Sequence, residues 1–386
     1  MLNLSKTNPG ALGPEIIAFD NRTIPINAQG ELEGIDPGIQ PVKGNELSFA
    51  IDHQFTSKLI GGVRYTRRRM LRGIEDIGVL DAQDNEVYLI GNPGFGQTRD
   101  KSSVYGGTTP NGTFLVPEAV RDYDAVEVRS QGELGNFNFL ASYTWSRLYG
   151  NYSGSANSDE SGRQDPGVSR AFDLPYYYFD ASGDQTPKNG LLGTDRTHAF
   201  KAFLYYRLKS GLGTTILGVN QVVLSGTPDT TSVIYLSAPT FPFGRGDMGR
   251  TPAYRQTDLT LSHSFKLTKG TSLRFEANVR NLFDQDSVIS RVTQINRSGA
   301  ISAAKLPLSQ FFAGYNVFDY IGAANPSVPL NPIYGQAGAS YRAGGGPGQS
   351  RAIGLIADRS AFSARFPNFG AFQDFRTIRL GVTLTF

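Results

Sequence analysis

The spacing of its breaks constrains this chain more than any single motif does. Nine segments alternate apolar and polar residues: 46–55, 59–68, 123–130, 136–148, 198–208, 214–224, 257–267, 272–281 and 377–386. In the last of them Ile378, Leu380, Val382, Leu384 and Phe386 share one parity, and Thr377, Arg379, Gly381, Thr383 and Thr385 the other. A period of two marks a β-strand with unlike surroundings on its two faces, and about ten residues cross a bilayer when the strand is tilted. Segment 123–130 carries this pattern weakly, and segment 214–224 has apolar residues at both parities. The connections are alternately short and long without exception. Residues 56–58, 131–135, 209–213 and 268–271 are short and rich in Gly, Ser and Lys, as tight wet turns require. Residues 69–122, 149–197, 225–256 and 282–376 are long.

A soluble sandwich has no reason to keep this parity. An outer-membrane barrel does, because its periplasmic turns are short and its extracellular loops long. The sequence has no apolar run of the ~18 residues a membrane helix needs, so a spanning role falls to strands. Composition agrees: only 39% of residues are hydrophobic, while there are 45 Gly, 18 Tyr and 25 Phe, which suits strands and long loops better than a packed α/β core. The expected fold is all-β, an antiparallel transmembrane β-barrel segment of about nine strands. Its last strand runs inward, Phe386 ends at the periplasmic side, and residues 1–45 belong to an external loop. The apolar face of each strand meets outer-membrane lipid and the polar face looks into the lumen. Candidate lumen residues are Lys201, Arg207, Asp258, Arg274, Glu276, Asn278 and Arg280.

The net charge of +3 is mild and its signs are interspersed, which argues against a nucleic-acid partner. The tightest basic cluster, Arg67-Arg68-Arg69, sits at a strand end and is expected to be a solvated or lipopolysaccharide-facing rim. With no cysteine, disulfides and thiolate metal sites are excluded. The segment from Met1 to Thr7 lacks the basic and apolar regions of a secretory signal, so the chain is expected to be a piece whose front end lies elsewhere.

Several stretches, in order, resemble the C-terminal barrel half of TonB-dependent outer-membrane receptors, particularly the Oar-like group. They are Tyr143-Thr144-Trp145-Ser146-Arg147-Leu148, Gly150-Asn151-Tyr152-Ser153-Gly154, Gly193-Thr194-Asp195-Arg196-Thr197-His198-Ala199-Phe200-Lys201 and Ser225-Gly226-Thr227-Pro228. Gly244-Arg245-Gly246, Gly249-Arg250-Thr251-Pro252 and Asn278-Val279-Arg280-Asn281-Leu282-Phe283-Asp284 follow. The resemblance covers roughly residues 40–290 and the final dozen, while 288–370 carries little that matches. It implies a 22-stranded barrel around a plug, and a periplasmic box that engages TonB. It also implies extracellular loops that bind a large or scarce ligand, with uptake driven by the proton-motive force. Residues 1–386 would be the C-terminal portion of such a barrel, with plug and signal peptide absent and the TonB complex reached only through those missing parts. Within such a receptor the candidate lumen residues would touch the plug or the permeating ligand. The terminal aromatic Phe386 resembles the signal recognised by the barrel-assembly machinery.

Other groups carry weaker signals. His53, His198 and His263 lie on different segments without ligand spacing. Asp159, Glu160, Asp165, Asp180 and Asp184 offer oxygen donors but no calcium-loop spacing. Gly344-Gly345-Gly346-Pro347-Gly348 lacks the context of a phosphate loop, and Arg245-Gly246-Asp247 spells an adhesion tripeptide that Gly-rich loops produce by chance. No catalytic constellation stands out, and neither a cofactor nor a metal is expected. The alternative to a transporter is a surface β-protein acting as an adhesin or carbohydrate-binding module.

Overall fold

The computed structural model describes residues 34–35, 38–80, 86–95, 118–154, 189–235, 238–242, 244–289, 293–296, 299–302, 304–307, 317–330 and 372–386. Nine long strands dominate it: β1 (Lys43–Thr56), β2 (Leu59–Arg72), β3 (Arg121–Leu134), β4 (Phe137–Gly150), β5 (His198–Ser210), β6 (Gly213–Leu224), β7 (Tyr254–Lys266), β8 (Ser272–Arg280) and β9 (Thr377–Thr385). They form one antiparallel sheet in strict chain order, and the two-residue strand Gly190–Leu191 pairs with the end of β4. Each strand therefore hydrogen-bonds its sequence neighbours, which leaves β1 and β9 as the two edges among the described residues.

Every segment expected from alternation is a strand, and the boundaries mostly widen. The weakly patterned third segment becomes the 14-residue β3, paired along its length with β2 and β4. The poorly patterned sixth becomes β6, whose 12 residues are all registered against both β5 and β7. Backbone pairing on both edges fixes a strand even where side-chain alternation is blurred. Three of the short connections tighten to two residues, Ser57-Lys58, Gly135-Asn136 and Gly211-Leu212. Gly135 has φ of 62°, the left-handed conformation such a turn favours.

Cross-strand register divides the sheet into two faces. One carries Phe49, Ile51, Val63, Val128, Tyr143, Trp145, Phe200, Tyr206, Leu261, Phe275, Leu380 and Val382, all solvent-exposed; Ile51 is 77% exposed and Leu380 80%. An exposed apolar surface of this breadth is far beyond what a soluble monomer presents. The large, fully buried side chains lie elsewhere, at the end of the sheet that carries the long connections.

At that end the chain continues beyond the strands. Glu75–Leu80 and Glu86–Gly91 form a hairpin, with Gly34–Ile35 parallel to its second arm. Described residues within 225–256 and 282–376, connections that offered no strand alternation to the sequence reading, jointly build a small hydrophobic core. Val233 and Tyr235 come from the first connection, and Ile295, Ile301, Leu306, Val317, Ile321 and Val328 from the second. Tyr235 Oη donates to the Leu306 carbonyl at 2.7 Å, and the amides of Ile295 and Ile301 donate to Ser232 and Ile234 carbonyls at 2.9 and 3.0 Å. The two connections thus share one core and one set of backbone hydrogen bonds.

Candidate functional site

The register places all seven candidate lumen residues on the face opposite the apolar one. Asp258 lies across from Asn220, which lies across from Phe203, two residues from Lys201. Glu276 faces Ser262 on β7 and Gly381 on β9, while Asn278 faces Thr260 and Arg379. The same face carries Glu46, Asp52, Arg64, Arg68, Glu127, Arg129 and Glu133. Charged groups here find one another across strands. Arg129 grips both carboxylate oxygens of Asp52 at 2.8 and 2.6 Å, and Arg68 pairs with Glu46 at 2.9 Å. Arg274 meets Glu276 at 3.2 Å along β8, and Arg280 reaches Asp374 at 3.5 Å. The amides of Asn220 and Gln256 both donate to Asp258, and Thr260 donates to Asn278 at 2.9 Å. Lys201 and Arg207 have no carboxylate partner among the described residues, although Arg207 lies 5.9 Å from the Tyr205 ring. Between them on β5 sits Phe203, opposite Leu140, and the two are 47% and 50% exposed, so this face has an apolar shelf flanked by two cations. Sequence alternation alone had hidden that shelf.

A second polar assembly lies at the long-connection end, and the motifs of the family resemblance build it. The Asp195 side chain is fully buried. It accepts from the Leu148 amide at 2.6 Å and pairs with Arg250 at 2.5 Å. Arg250 also donates to Thr197 Oγ1 at 2.8 Å and to the Gly226 carbonyl at 2.9 Å. Arg196 donates to the Ser225 carbonyl at 2.7 Å, and Ser146 Oγ to the Arg196 carbonyl at 2.8 Å. Burial holds the Arg196 guanidinium below its ordinary value, against an opposing pull from Tyr254 and with a further push from Arg250. Gly226 is required here, since a Cβ would collide with the Thr251 carbonyl. The result is a clasp tying the ends of β4, β5, β6 and β7 to one another.

Asn281 and Asp284 do the same for the last strand. Both adopt left-handed backbone, with φ of 52° and 51°. Asn281 Nδ2 donates to the Asp374 carbonyl at 2.8 Å, and the Arg376 amide donates to Asp284 at 2.8 Å, so a tight turn after β8 pins the start of β9 across 93 residues of sequence. Asn151 anchors the approach to β3, accepting from the Val120 amide and donating to the Glu118 carbonyl. These roles follow from capping and turn chemistry, which the motif strings alone do not spell out.

The remaining sequence candidates are dispersed. Tyr143 Oη and His198 Nδ1 are 2.7 Å apart, Thr215 Oγ1 and His263 Nδ1 are 2.8 Å apart, and His53 stacks edge-on against Phe55. Arg245 donates to Ser153 Oγ at 2.8 Å and lies over Phe241, while Asp247 holds the Thr231 amide and hydroxyl at 2.7 and 2.5 Å, so the adhesion-like tripeptide is engaged internally. Asp159, Glu160, Asp165, Asp180, Asp184 and residues 344–348 lie outside the described residues. Phe386, one residue past β9, is 96% exposed.

Residues 3–227 match the family model described as outer membrane beta barrel domain, more than half of the chain. The chain belongs to the outer membrane β-barrel family. As a member of this family it resides in the outer membrane. Over 260 residues it is 31% identical to the TonB-dependent transporter Oar of Myxococcus xanthus, covering 66% of this chain and 22% of that protein, so the chain spans about a fifth of this curated relative. The resemblance to Oar-like receptors read from the motifs is thereby borne out. Among solved structures, BauA, the ferric preacinetobactin receptor of Acinetobacter baumannii, aligns with 69% of this chain and 28% of its own, at 11% identity and a TM-score of 0.36. The ferric-catecholate import receptor Fiu of E. coli K12 aligns with 68% and 26%, at 15% identity and a TM-score of 0.33. The assignment of this barrel rests on the family match and on the sheet itself.

Proposed function

We propose that this chain is the C-terminal portion of an outer-membrane receptor and transporter barrel for TonB-dependent uptake of a large or scarce ligand, and that it is not an enzyme. The observation carrying the proposal is the two-faced sheet: charged, cross-linked residues on one side and exposed apolar residues on the other, with all long loops at one end. In this reading Lys201, Arg207, Asp258, Arg274, Glu276, Asn278 and Arg280 line the lumen. The similarity to a TonB-dependent transporter supports energised uptake through TonB, with a plug and TonB box supplied by the rest of the protein. The shelf of Leu140 and Phe203 beside Lys201 and Arg207 gives that lumen a surface on which a solid occupant or a passing ligand can rest, which a purely hydrating wall would not need.

The absence of cysteine makes a direct test simple. Single Cys substitutions of Lys201, Asp258 and Glu276 should label with a water-soluble, membrane-impermeant maleimide, and those of Phe275 and Leu380 only with a lipophilic one. Labelling of both sets by the soluble reagent would refute the lumen assignment. For transport, ligand accumulation by cells carrying the protein should collapse with a protonophore or without TonB. Accumulation indifferent to both would leave the adhesin or carbohydrate-binding reading in its place.

A further inference from the structure

The Arg67-Arg68-Arg69 triplet is split by the pleat. Arg68 turns to the charged face and pairs with Glu46, while Arg67 and Arg69 turn to the lipid face at its external end. There a third guanidinium from another strand joins them. Arg67 lies opposite Asp124, and Asp124 lies opposite Arg147 on β4, so Arg67 and Arg147 stand about two strand spacings apart, roughly 10 Å. Arg69 is one pleat further out, level with Asp122 and Tyr149.

These cations are loosely held. The nearest carboxylate contacts of Arg67 and Arg69 are 3.8 Å to Asp124 and 3.7 Å to Asp122, beyond hydrogen-bonding distance. Tyr65 Oη already donates to Asp124 at 2.9 Å. Arg147 rests on the Tyr149 ring at 4.2 Å and is exposed. Each guanidinium has five donors and a planar fork suited to phosphate oxygens, and none of the three makes a side-chain hydrogen bond among the described residues. Immediately below them the same face carries Tyr65, Trp145 and Tyr143, rings that belong at a membrane boundary, and then a mainly apolar band.

We propose that Arg67, Arg69 and Arg147 form a binding site for the phosphorylated sugar headgroup of an outer-leaflet glycolipid, whose acyl chains lie along the apolar face beneath. Continuity with the lipid-facing surface selects this occupant over a soluble anion: the acyl chains and the phosphate are met by one uninterrupted strip of protein. Asp122 and Asp124 keep the patch close to neutral without the lipid and limit its pull on free phosphate. The inference rests on the outer-membrane location and not on the transport reading.

The test uses the intact protein extracted from the outer membrane in detergent. It is titrated with lipopolysaccharide and with the same lipid enzymatically dephosphorylated, with inorganic phosphate as competitor, and retained lipid is read by native mass spectrometry. The parent protein should hold the phosphorylated lipid at least fivefold more tightly than the dephosphorylated one. The Arg67→Gln/Arg69→Gln/Arg147→Gln variant should lose that preference, and the corresponding triple Lys variant should regain part of it. Equal affinity of the parent for the two lipids, an undiminished preference in the triple Gln variant, or full displacement by inorganic phosphate would each overturn the proposal. Should the Gln variant fail to insert, the two-lipid comparison on the parent decides alone.

Discussion

Asp195 and Leu380 mark the two solvents that single residues of this protein must satisfy. Asp195 is buried and paired, and its partner Arg250 also holds the Gly226 carbonyl and Thr197. Asp195→Ala would leave a guanidinium and the Leu148 amide without their acceptor. Breaking such a pair from one side costs about 3 kcal/mol, which should appear as a lowered midpoint in denaturant unfolding from liposomes; Asp195→Asn should recover part of it through the remaining acceptor oxygen. Leu380 is 80% exposed, and in the proposed orientation it meets hydrocarbon. Leu380→Arg should cost about 2–4 kcal/mol near the bilayer midplane in the same assay, and an effect below ~1 kcal/mol would mean that β9 does not face lipid there. The alternation of β9 announced Leu380 in advance, because a period of two is local. Nothing local announced Asp195, whose partners Leu148 and Arg250 lie 47 and 55 residues away in the chain.

At the scale of elements, the strands were legible and the loop unit was not. Alternation and turn residues sit within a few positions of each other, so β1 to β9 could be located from the sequence, with β3 and β6 blurred only in their faces. The core formed by Val233, Tyr235, Ile295, Ile301, Leu306, Val317, Ile321 and Val328 has no period, because irregular loops bury side chains wherever the backbone happens to turn inward. Asp247 belongs to this loop region. Burial raises its carboxyl from 3.8 to about 6; its hydrogen bonds from Thr231 pull the other way and nearby Asp229 adds to the rise. A carboxyl whose folded value lies above its unfolded one contributes stability that is complete below pH ~4 and is lost as pH rises through ~6. The loop unit should therefore be more protected at pH 4.5 than at pH 7.5, by about 2 kcal/mol. Hydrogen exchange of residues 229–250 in the parent and in Asp247→Asn is the measurement, and the variant should lose most of the difference.

The whole molecule is a curtain of nine strands with two free edges among the described residues. Unpaired amides and carbonyls cannot be left in hydrocarbon, so residues 1–386 expressed alone should give no protease-resistant, heat-modifiable band in membranes, whereas co-expression with the further strands that the proposed receptor would supply should restore one. A resistant product from this chain alone would contradict that and point to closure by a second copy. Fold class was readable because it follows from strand alternation and connection lengths, a property of the entire chain; the composition of the charged face was only half readable, since Phe203 and Leu140 break the pattern that revealed their neighbours. The shared core of the last two loops carries a consequence for how barrels of this kind diversify. Exchanging one loop for a relative's counterpart would strand fully buried side chains such as Tyr235 and Ile301 without their complements, so recombination that alters the outward surface has to move both loops together, as a single inherited cassette.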